Sequence, residues 1–357
     1  MKIVLVISHL TVGGAERVIT LMANYWAESE NEVYLTTISK VDESAYPISS
    51  KVHCLSAQDN CTGGTALHKL LAFRKNLIQL NPDVIISFCD KTNMITALST
   101  IFADLPLIIS ERNHPGYNNF KWYYRIARRI LYPLCDSLVV QTLSIKDWFI
   151  NQGCTFPISV IPNPVLFRDD RIKPDNSIEL SSPSIITVGS LSEQKGHARL
   201  IDIFAMVVNM RPDWILYIVG EGDCRKELED KIESHNLKGS IFLTGQVANP
   251  VDLLKRADIF VFTSLYEGFP NALSEAMAEG LPVVSFDCPS GPSDIINNGK
   301  SGLLVPNGDC DAFVDELVKL IDNPEKREAL GCEAKKIREK LSIDLVMKQW
   351  NNLLNIL

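Results

Sequence analysis

Short aliphatic runs recur along this chain, each followed by a turn and then by apolar residues at helical spacing, and the alternation occurs in two series. Lys2–Ser8, Val33–Ile38, Val84–Phe88, Leu107–Ser110, Ser137–Gln141 and Ile158–Ile161 read as strands of the first series. Ile185–Val188, Trp214–Val219, Ile241–Leu243, Ile259–Thr263, Pro282–Ser285 and Gly302–Val305 read as strands of the second. Strands that run apolar without alternation are buried on both faces, the mark of a parallel sheet covered by helices. The chain therefore predicts two doubly wound α/β halves with ligands held outside the carboxyl ends of the strands. Residues 163–183 interrupt the rhythm with Asn163-Pro164, Asp169-Asp170, Pro174 and Ser181-Ser182-Pro183, and read as a linker. Two halves so joined imply a cleft between them.

Composition narrows the partners. With 357 residues, 46% apolar and 22% charged, the chain is globular and long enough for two domains with cores of their own. The net charge of −8 is uneven: residues 1–168 carry 15 Lys/Arg against 13 Asp/Glu, residues 169–357 carry 20 against 30. A mildly basic front on an acidic protein points that half towards an anionic partner, with chance scatter as the alternative. The acidic balance and the lack of a long Lys/Arg run argue against nucleic acid. Nine cysteines, an odd number with no C-x-x-C pair, suit neither a disulfide framework nor a zinc site, and read as thiols of a reducing cytoplasm. The apolar run Met1–Ile7 is too short for a leader, and no stretch of 18 apolar residues offers a membrane span.

The most informative block is Ser264-Leu265-Tyr266-Glu267-Gly268-Phe269-Pro270-Asn271-Ala272-Leu273-Ser274-Glu275-Ala276-Met277, directly after a strand. Pro270 can open a helix at its first position. The amides of Gly268, Phe269, Asn271 and Ala272 would then surround the positive helix end, which suits a phosphate or a polyhydroxyl ligand. Glu267 and Glu275 can accept hydrogen bonds from sugar or ribose hydroxyls; alternatively Glu267 is a capping acid and Glu275 a solvated face. Gly13 and Gly14 allow close backbone approach at a helix start, or make an ordinary turn.

The block Glu267–Pro282 resembles the E-x7-E signature of the retaining GT-B glycosyltransferases of family 4 (glycosyl transferases group 1), the type that assembles bacterial surface polysaccharides and glycans. The resemblance continues in Val188-Gly189-Ser190-Leu191, Gln194-Lys195-Gly196, Gly291-Pro292-Ser293, Gly302-Leu303-Leu304-Val305-Pro306, Gly13-Gly14-Ala15-Glu16-Arg17 and Val160-Ile161-Pro162-Asn163, in order over nearly the whole chain. It implies an α/β GT-B fold: an acceptor-side Rossmann-like domain over 1–168, a nucleotide-sugar-binding one over 169–340, and a closing helix over 341–357 that can return to the first. It implies that Glu267 holds donor-sugar hydroxyls and Glu275 the ribose, and that Lys195 faces the diphosphate. Gly13, Gly14 and the segment Gly268, Phe269, Pro270, Asn271, Ala272 and Leu273 complete the donor site.

Two departures from the family pattern stand out. The Arg that the family usually carries shortly before the Lys falls at Ser190, and a neutral hydroxyl cannot replace a bidentate cation. Either Lys195 and the helix end suffice, or another cation such as Arg199 or Arg112 enters. The Glu-His-Asn of many relatives is here Ser110-Glu111-Arg112-Asn113-His114, which makes Arg112 and His114 acceptor-side candidates; His114 can equally be a plain loop histidine. Asp309-Cys310-Asp311 spells a D-x-D, but before an apolar helical run it reads as a helix cap, and no metal site or cofactor is expected.

Phe120–Tyr132 combines four cations, no acid and five aromatics. On a helix Arg125, Arg128 and Arg129 share one face with Trp122 nearby, and with Lys121 they suit an anionic headgroup layer. The alternative is a helix that packs its aromatics into the front domain. The expected protein is a metal-independent retaining transferase that moves the sugar of a UDP-hexose or UDP-N-acetylhexosamine to a saccharide or lipid-linked saccharide at the inner membrane surface. The rivals are a nucleotide-sugar epimerase and a non-catalytic sugar-nucleotide binder.

Overall fold

The aliphatic run at the start of the chain, wholly buried from Ile3 to Ile7, is a central strand of the first of two parallel sheets. The computed structural model describes residues 1–39, 44–58, 64–117, 121–165, 178–247 and 249–356. Among these, the first sheet holds β1 (Lys2–Ile7), β2 (Glu32–Thr37), β3 (Val52–Ser56), β4 (Val84–Phe88), β5 (Leu107–Ser110), β6 (Ser137–Val140) and β7 (Ile158–Val160), in the order β3-β2-β1-β4-β5-β6-β7. The second holds β8 (Ser184–Val188), β9 (Ile215–Val219), β10 (Ile241–Gly245), β11 (Ile259–Phe262), β12 (Val283–Asp287) and β13 (Leu303–Pro306), in the order β10-β9-β8-β11-β12-β13. Every pairing is parallel. In each sheet the order reverses at one place, β1 beside β4 and β8 beside β11. Ligands of such sheets sit outside the carboxyl ends at these switch points.

Sequence patterning misses β3. Its run Val52-His53-Cys54-Leu55-Ser56 lies at the sheet edge with His53 and Cys54 exposed, so it carries no continuous apolar signal. The helix expected over 325–340 is two helices, Pro324–Ala334 and Ile337–Lys340. Of the stretch read as a linker, residues 166–177 lie outside the described residues. Its end is no free tether: Ile178 and Leu180 pack on the second core, and the Ser181 amide donates to the Tyr217 hydroxyl at 3.0 Å.

The chain divides into two compact units, Met1–Pro164 with Asp344–Leu357, and Val165–Ile343. The division falls four residues before the expected 168 because Val165 already belongs to the second core and its amide donates to the Leu341 carbonyl at 2.8 Å. The closing helix Ile343–Leu354 is part of the first unit from Asp344 on, three residues past the expected 341. Its buried Trp350 meets Trp26 edge-on at 6.3 Å, and Trp26 Nε1 donates to Asn351 Oδ1 at 2.7 Å. No helix among the described residues is long and apolar enough to cross a membrane, and the eight described cysteines are free thiols.

Candidate functional site

In the second unit, three loops leave the carboxyl ends of neighbouring strands β8, β11 and β12 and are laced together. After β8, Gly196 turns at φ +67°, where a side chain would strike the Thr263 carbonyl at 2.1 Å; only glycine fits this approach. The turn sets Gln194 Nε2 on the Tyr266 carbonyl at 3.0 Å, and the Leu265 amide returns to the Gln194 carbonyl at 2.8 Å. The Lys195 stem crosses Gly189, and its Nζ meets Glu267 Oε1 at 2.6 Å. After β12, the Ser290 hydroxyl donates to the Gly268 carbonyl at 3.2 Å, and Gly291 (φ +112°) abuts Pro270. Glu267 is therefore held from three sides: its side chain is 6% exposed, that of Lys195 23%.

The helix after this loop begins at Asn271, not at Pro270. Pro270 is the capping residue, with ψ 73° outside the helical range, so the expected first-turn proline is corrected by one position. The Asn271 amide closes onto the Phe269 carbonyl at 3.0 Å, which removes it from the set expected to face a ligand. The side chains of Phe269 and Leu273 are in the core, so these two residues offer a ligand backbone alone, as Ala272 does with its small side chain packed against that core. Glu275 is buried on this same helix, which rules out the solvated-face reading. Burial pushes the imidazole of His197, two residues after Lys195, down to about 4, and its Nε2 pairs with the Ser190 carbonyl at 3.1 Å. Ser190 itself is exposed, with its hydroxyl 3.1 Å from that of Ser192. Arg199 lies on the Phe286 ring at 3.9 Å with Nη2 on the Thr263 carbonyl at 2.9 Å. Asp309 caps its helix through the Ala312 amide at 3.0 Å, and the described residues hold no group of three or more metal-ligating side chains.

In the first unit, the carboxyl edge collects buried polar groups. Gly13 caps the helix Gly14–Glu28; a side chain there would meet the Glu16 carboxyl at 2.1 Å, and both its polar backbone atoms are engaged by the Tyr46 hydroxyl at 3.2 and 3.1 Å. That carboxyl is the end of a flexible side chain, so the contact alone does not demand glycine. Gly14 opens the helix and is exposed. After β5, Glu111 is fully buried, hydrogen-bonded to Asp90 and to the Tyr132 hydroxyl, and burial beside Asp90 raises its carboxyl well above the usual range. Arg112, 8% exposed, lies over the Phe88 ring at 3.5 Å and donates through Nη1 to Asn163 Oδ1 at 2.6 Å. His114 is buried against Tyr117 and Trp148, with Nδ1 accepting from the Gly116 amide at 3.1 Å, and burial lowers its basicity. Sequence reasoning passed over Asp90 and Gln141, because one polar residue after an aliphatic strand looks like any turn.

The basic aromatic segment forms the helix Trp122–Leu131; Phe120 lies outside the described residues. Lys121, Trp122, Tyr123, Arg125, Ile126, Arg129 and Ile130 are exposed. Tyr124, Ala127 and Leu131 pack on the first core. Arg128 does not share the face of Arg125 and Arg129. At 100° per residue it turns inward, where its guanidinium lies 5.0 Å from the Trp148 ring.

Two parallel sheets of these orders, one in each unit, with a buried Glu and a Lys joined at the switch point of the second, fit the GT-B class of glycosyltransferases. The chain belongs to the family 4, group 1 glycosyltransferases: residues 12–166 match the Glycosyltransferase Family 4 model and residues 168–337 the Glycosyl transferases group 1 model. It is 30% identical, over 99% of its length and 98% of the relative's, to the Campylobacter jejuni GalNAc-alpha-(1->4)-GalNAc-alpha-(1->3)-diNAcBac-PP-undecaprenol alpha-1,4-N-acetyl-D-galactosaminyltransferase. Among solved structures it is similar to sucrose-phosphate synthase from Thermosynechococcus elongatus (TM-score 0.83, 16% identity, covering 99% of this chain and 98% of that one). It is also similar to Anabaena HepE in complex with UDP-glucose (TM-score 0.81, 19% identity, all of both chains). The protein is a glycosyltransferase with the GT-B fold.

Proposed function

We propose that the protein transfers a hexose or N-acetylhexosamine from a UDP-sugar to a lipid-linked saccharide, with retention at the anomeric carbon and without a metal. The observation that carries this reading is the Lys195–Glu267 pair at the β8/β11 switch point. Glu267 accepts from donor-sugar hydroxyls and Glu275 from the ribose, while Lys195 and the backbone from Gly268 to Leu273 face the diphosphate. Gly13 and Gly14 bring the first unit's backbone to the donor. The bond from anomeric carbon to phosphate oxygen breaks, the bond to the acceptor oxygen forms on the same face, and the acceptor's proton passes to the departing phosphate. A cation placed in advance stabilises the charge that grows there. Arg112 and His114 serve the acceptor side.

The relative named above acts, by its name, on an undecaprenol-diphosphate glycan, and HepE holds UDP-glucose. These names support the donor and acceptor classes and a place in surface polysaccharide or glycoconjugate assembly, such as lipopolysaccharide or capsule. The exposed face Trp122, Ile126, Ile130 with Lys121, Arg125 and Arg129 suits peripheral docking on an anionic inner membrane from the cytoplasmic side.

The test is calorimetric titration of UDP, GDP and ADP into wild type and Glu275→Ala, followed by UDP-sugar turnover with lipid-linked acceptors. UDP binding that is lost in Glu275→Ala, with an alpha-linked product, supports the reading. A folded wild type that binds no nucleotide overturns it. The neutral Ser190 favours one rival, a non-catalytic binder, which would bind UDP and give no product; an epimerase would convert the UDP-sugar with no acceptor present.

A further inference from the structure

Arg112 is a buried cation without a carboxylate. Among the described residues no acid pairs with it, and the ionisable side chain that acts on it is the Cys89 thiol, which burial holds neutral. Burial lowers the Arg112 guanidinium to about 9. The adjacent Glu111 is engaged with Asp90 and Tyr132 instead, and burial raises its carboxyl well above the usual range. The Phe88 ring compensates only in part. An ion left uncompensated in the interior is expensive, and a guanidinium keeps its charge.

The orientation of the unused donors is specific. Nη1 is anchored on Asn163, while Nε and Nη2 have no partner. Nε and Nη2 form the edge of the guanidinium that grips two oxygens of one anion in parallel. Both amide atoms of Gln141, 2% exposed, also lack partners. Ser110 pairs with Val139 in the β5–β6 register, so Arg112 and Gln141 both follow the carboxyl ends of neighbouring strands. Four unpartnered buried polar atoms thus lie just past the ends of two adjacent strands, and each is costly if nothing satisfies it. In the second unit Arg199 is half-buried, stacked on Phe286 and bonded through Nη2 to the Thr263 carbonyl, with its Nε likewise without a partner.

We infer that Arg112, with the Gln141 amide after the neighbouring strand, is a subsite for a phosphate or diphosphate ester at the carboxyl edge of β5 and β6. The inference rests on the sugar-transfer reading for the origin of that group, which is the diphosphate of the nucleotide sugar or that of the lipid-linked acceptor.

Calorimetric titration of inorganic diphosphate, UDP, uridine and farnesyl diphosphate into wild type, Arg112→Gln and Arg112→Lys tests it. Arg112→Gln is expected to weaken inorganic diphosphate about tenfold or more, with Arg112→Lys between the two because it keeps the charge and loses the fork. Uridine is expected to be unaffected. A loss confined to UDP assigns the site to the donor; a loss confined to farnesyl diphosphate assigns it to the acceptor. Should Arg112→Gln not fold, Gln141→Leu reads the same site, with an expected loss of about threefold or more. Diphosphates that bind the variants within twofold of wild type, or that do not bind wild type, overturn the inference. The sugar-transfer reading fails separately, if UDP binding is indifferent to Glu275→Ala while inorganic diphosphate still depends on Arg112.

Discussion

Lys195 Nζ lies 2.6 Å from Glu267 Oε1, although 72 residues separate them in the chain. The pair exists because β8 and β11 are neighbours at the switch point, so loops from two distant segments start side by side. Removing either partner strands a charge in a site that is closed on the Glu267 side. In the proposed reaction both are also needed in the transition state. Glu267→Gln is expected to reduce kcat about a hundredfold or more while UDP affinity stays within about threefold. Lys195→Ala is expected to weaken UDP as well, since the ammonium faces the diphosphate. The double variant should lose less than the product of the single losses, because the residues act as a unit. Steady-state rates with titrated UDP affinities check this; equal loss of affinity and turnover in Glu267→Gln counts against its role.

His197 gives the second unit a stability that depends on pH. Its folded-state value, about 4, lies below the ordinary 6.5 because burial penalises the cation. The unfolded chain therefore binds more protons between those values, and stability falls as pH drops from 6.5 towards 4. The span corresponds to about 3 kcal/mol at 1.36 kcal/mol per pH unit. Urea unfolding at pH 7.5 and pH 5 should show a steeper loss for wild type than for His197→Gln, which has nothing to titrate. Glu111 works in the opposite sense, since a raised carboxyl value favours the folded state at lower pH, and comparison with the variant cancels it.

How much of this was legible in the sequence follows from the range of each interaction. The aliphatic runs marked twelve of the strands, the edge strands β7, β10 and β13 among them, whereas β3 breaks its run with the exposed polar pair His53-Cys54. The Glu267–Glu275 spacing and the glycine turns were visible locally. The Lys195–Glu267 contact was not, since no local pattern encodes which strands become neighbours. Nor was the isolation of Arg112: a lone Arg after a strand looks identical whether or not a carboxylate faces it. Arg128 was misplaced because basic residues at i, i+3 and i+4 look like one face until the apolar side of the helix is fixed by Tyr124, Ala127 and Leu131.

That correction separates two kinds of arginine on the helix Trp122–Leu131. Arg125 and Arg129 are exposed beside Trp122, which is 72% exposed, whereas Arg128 rests on Trp148. If the outer face docks on anionic lipid, each cation contributes about 1 kcal/mol. Arg125→Ser with Arg129→Ser should then weaken co-sedimentation with phosphatidylglycerol vesicles about tenfold or more, and added salt should weaken wild type likewise. Arg128→Ser should leave vesicle binding within about twofold and lower the melting temperature instead. Equal losses from both sets of variants, or wild-type binding equal on neutral phosphatidylcholine, would remove the electrostatic docking.

The closing helix tests whether the first unit needs residues from the far end of the chain. Trp350 is 1% exposed and meets Trp26 with ring planes 87° apart, while the Trp26 indole donates to Asn351. Both rings lie in the first unit, so the helix from Asp344 on completes a core begun by the helix Gly14–Glu28. Truncating a buried tryptophan leaves a large cavity, and Trp350→Ala is expected to cost about 3–5 kcal/mol. Trp350→Phe keeps most of the ring volume and should cost about half of that. The loss should fall on the first unit, so chemical unfolding of Trp350→Ala is expected to separate into two transitions, with the second unit's midpoint unchanged. Hydrogen exchange should show β1 and β2 losing protection while β8 and β11 keep theirs. A single transition shifted as a whole, with protection lost equally in both sheets, would mean that the two units unfold as one and that Trp350 supports more than its own core.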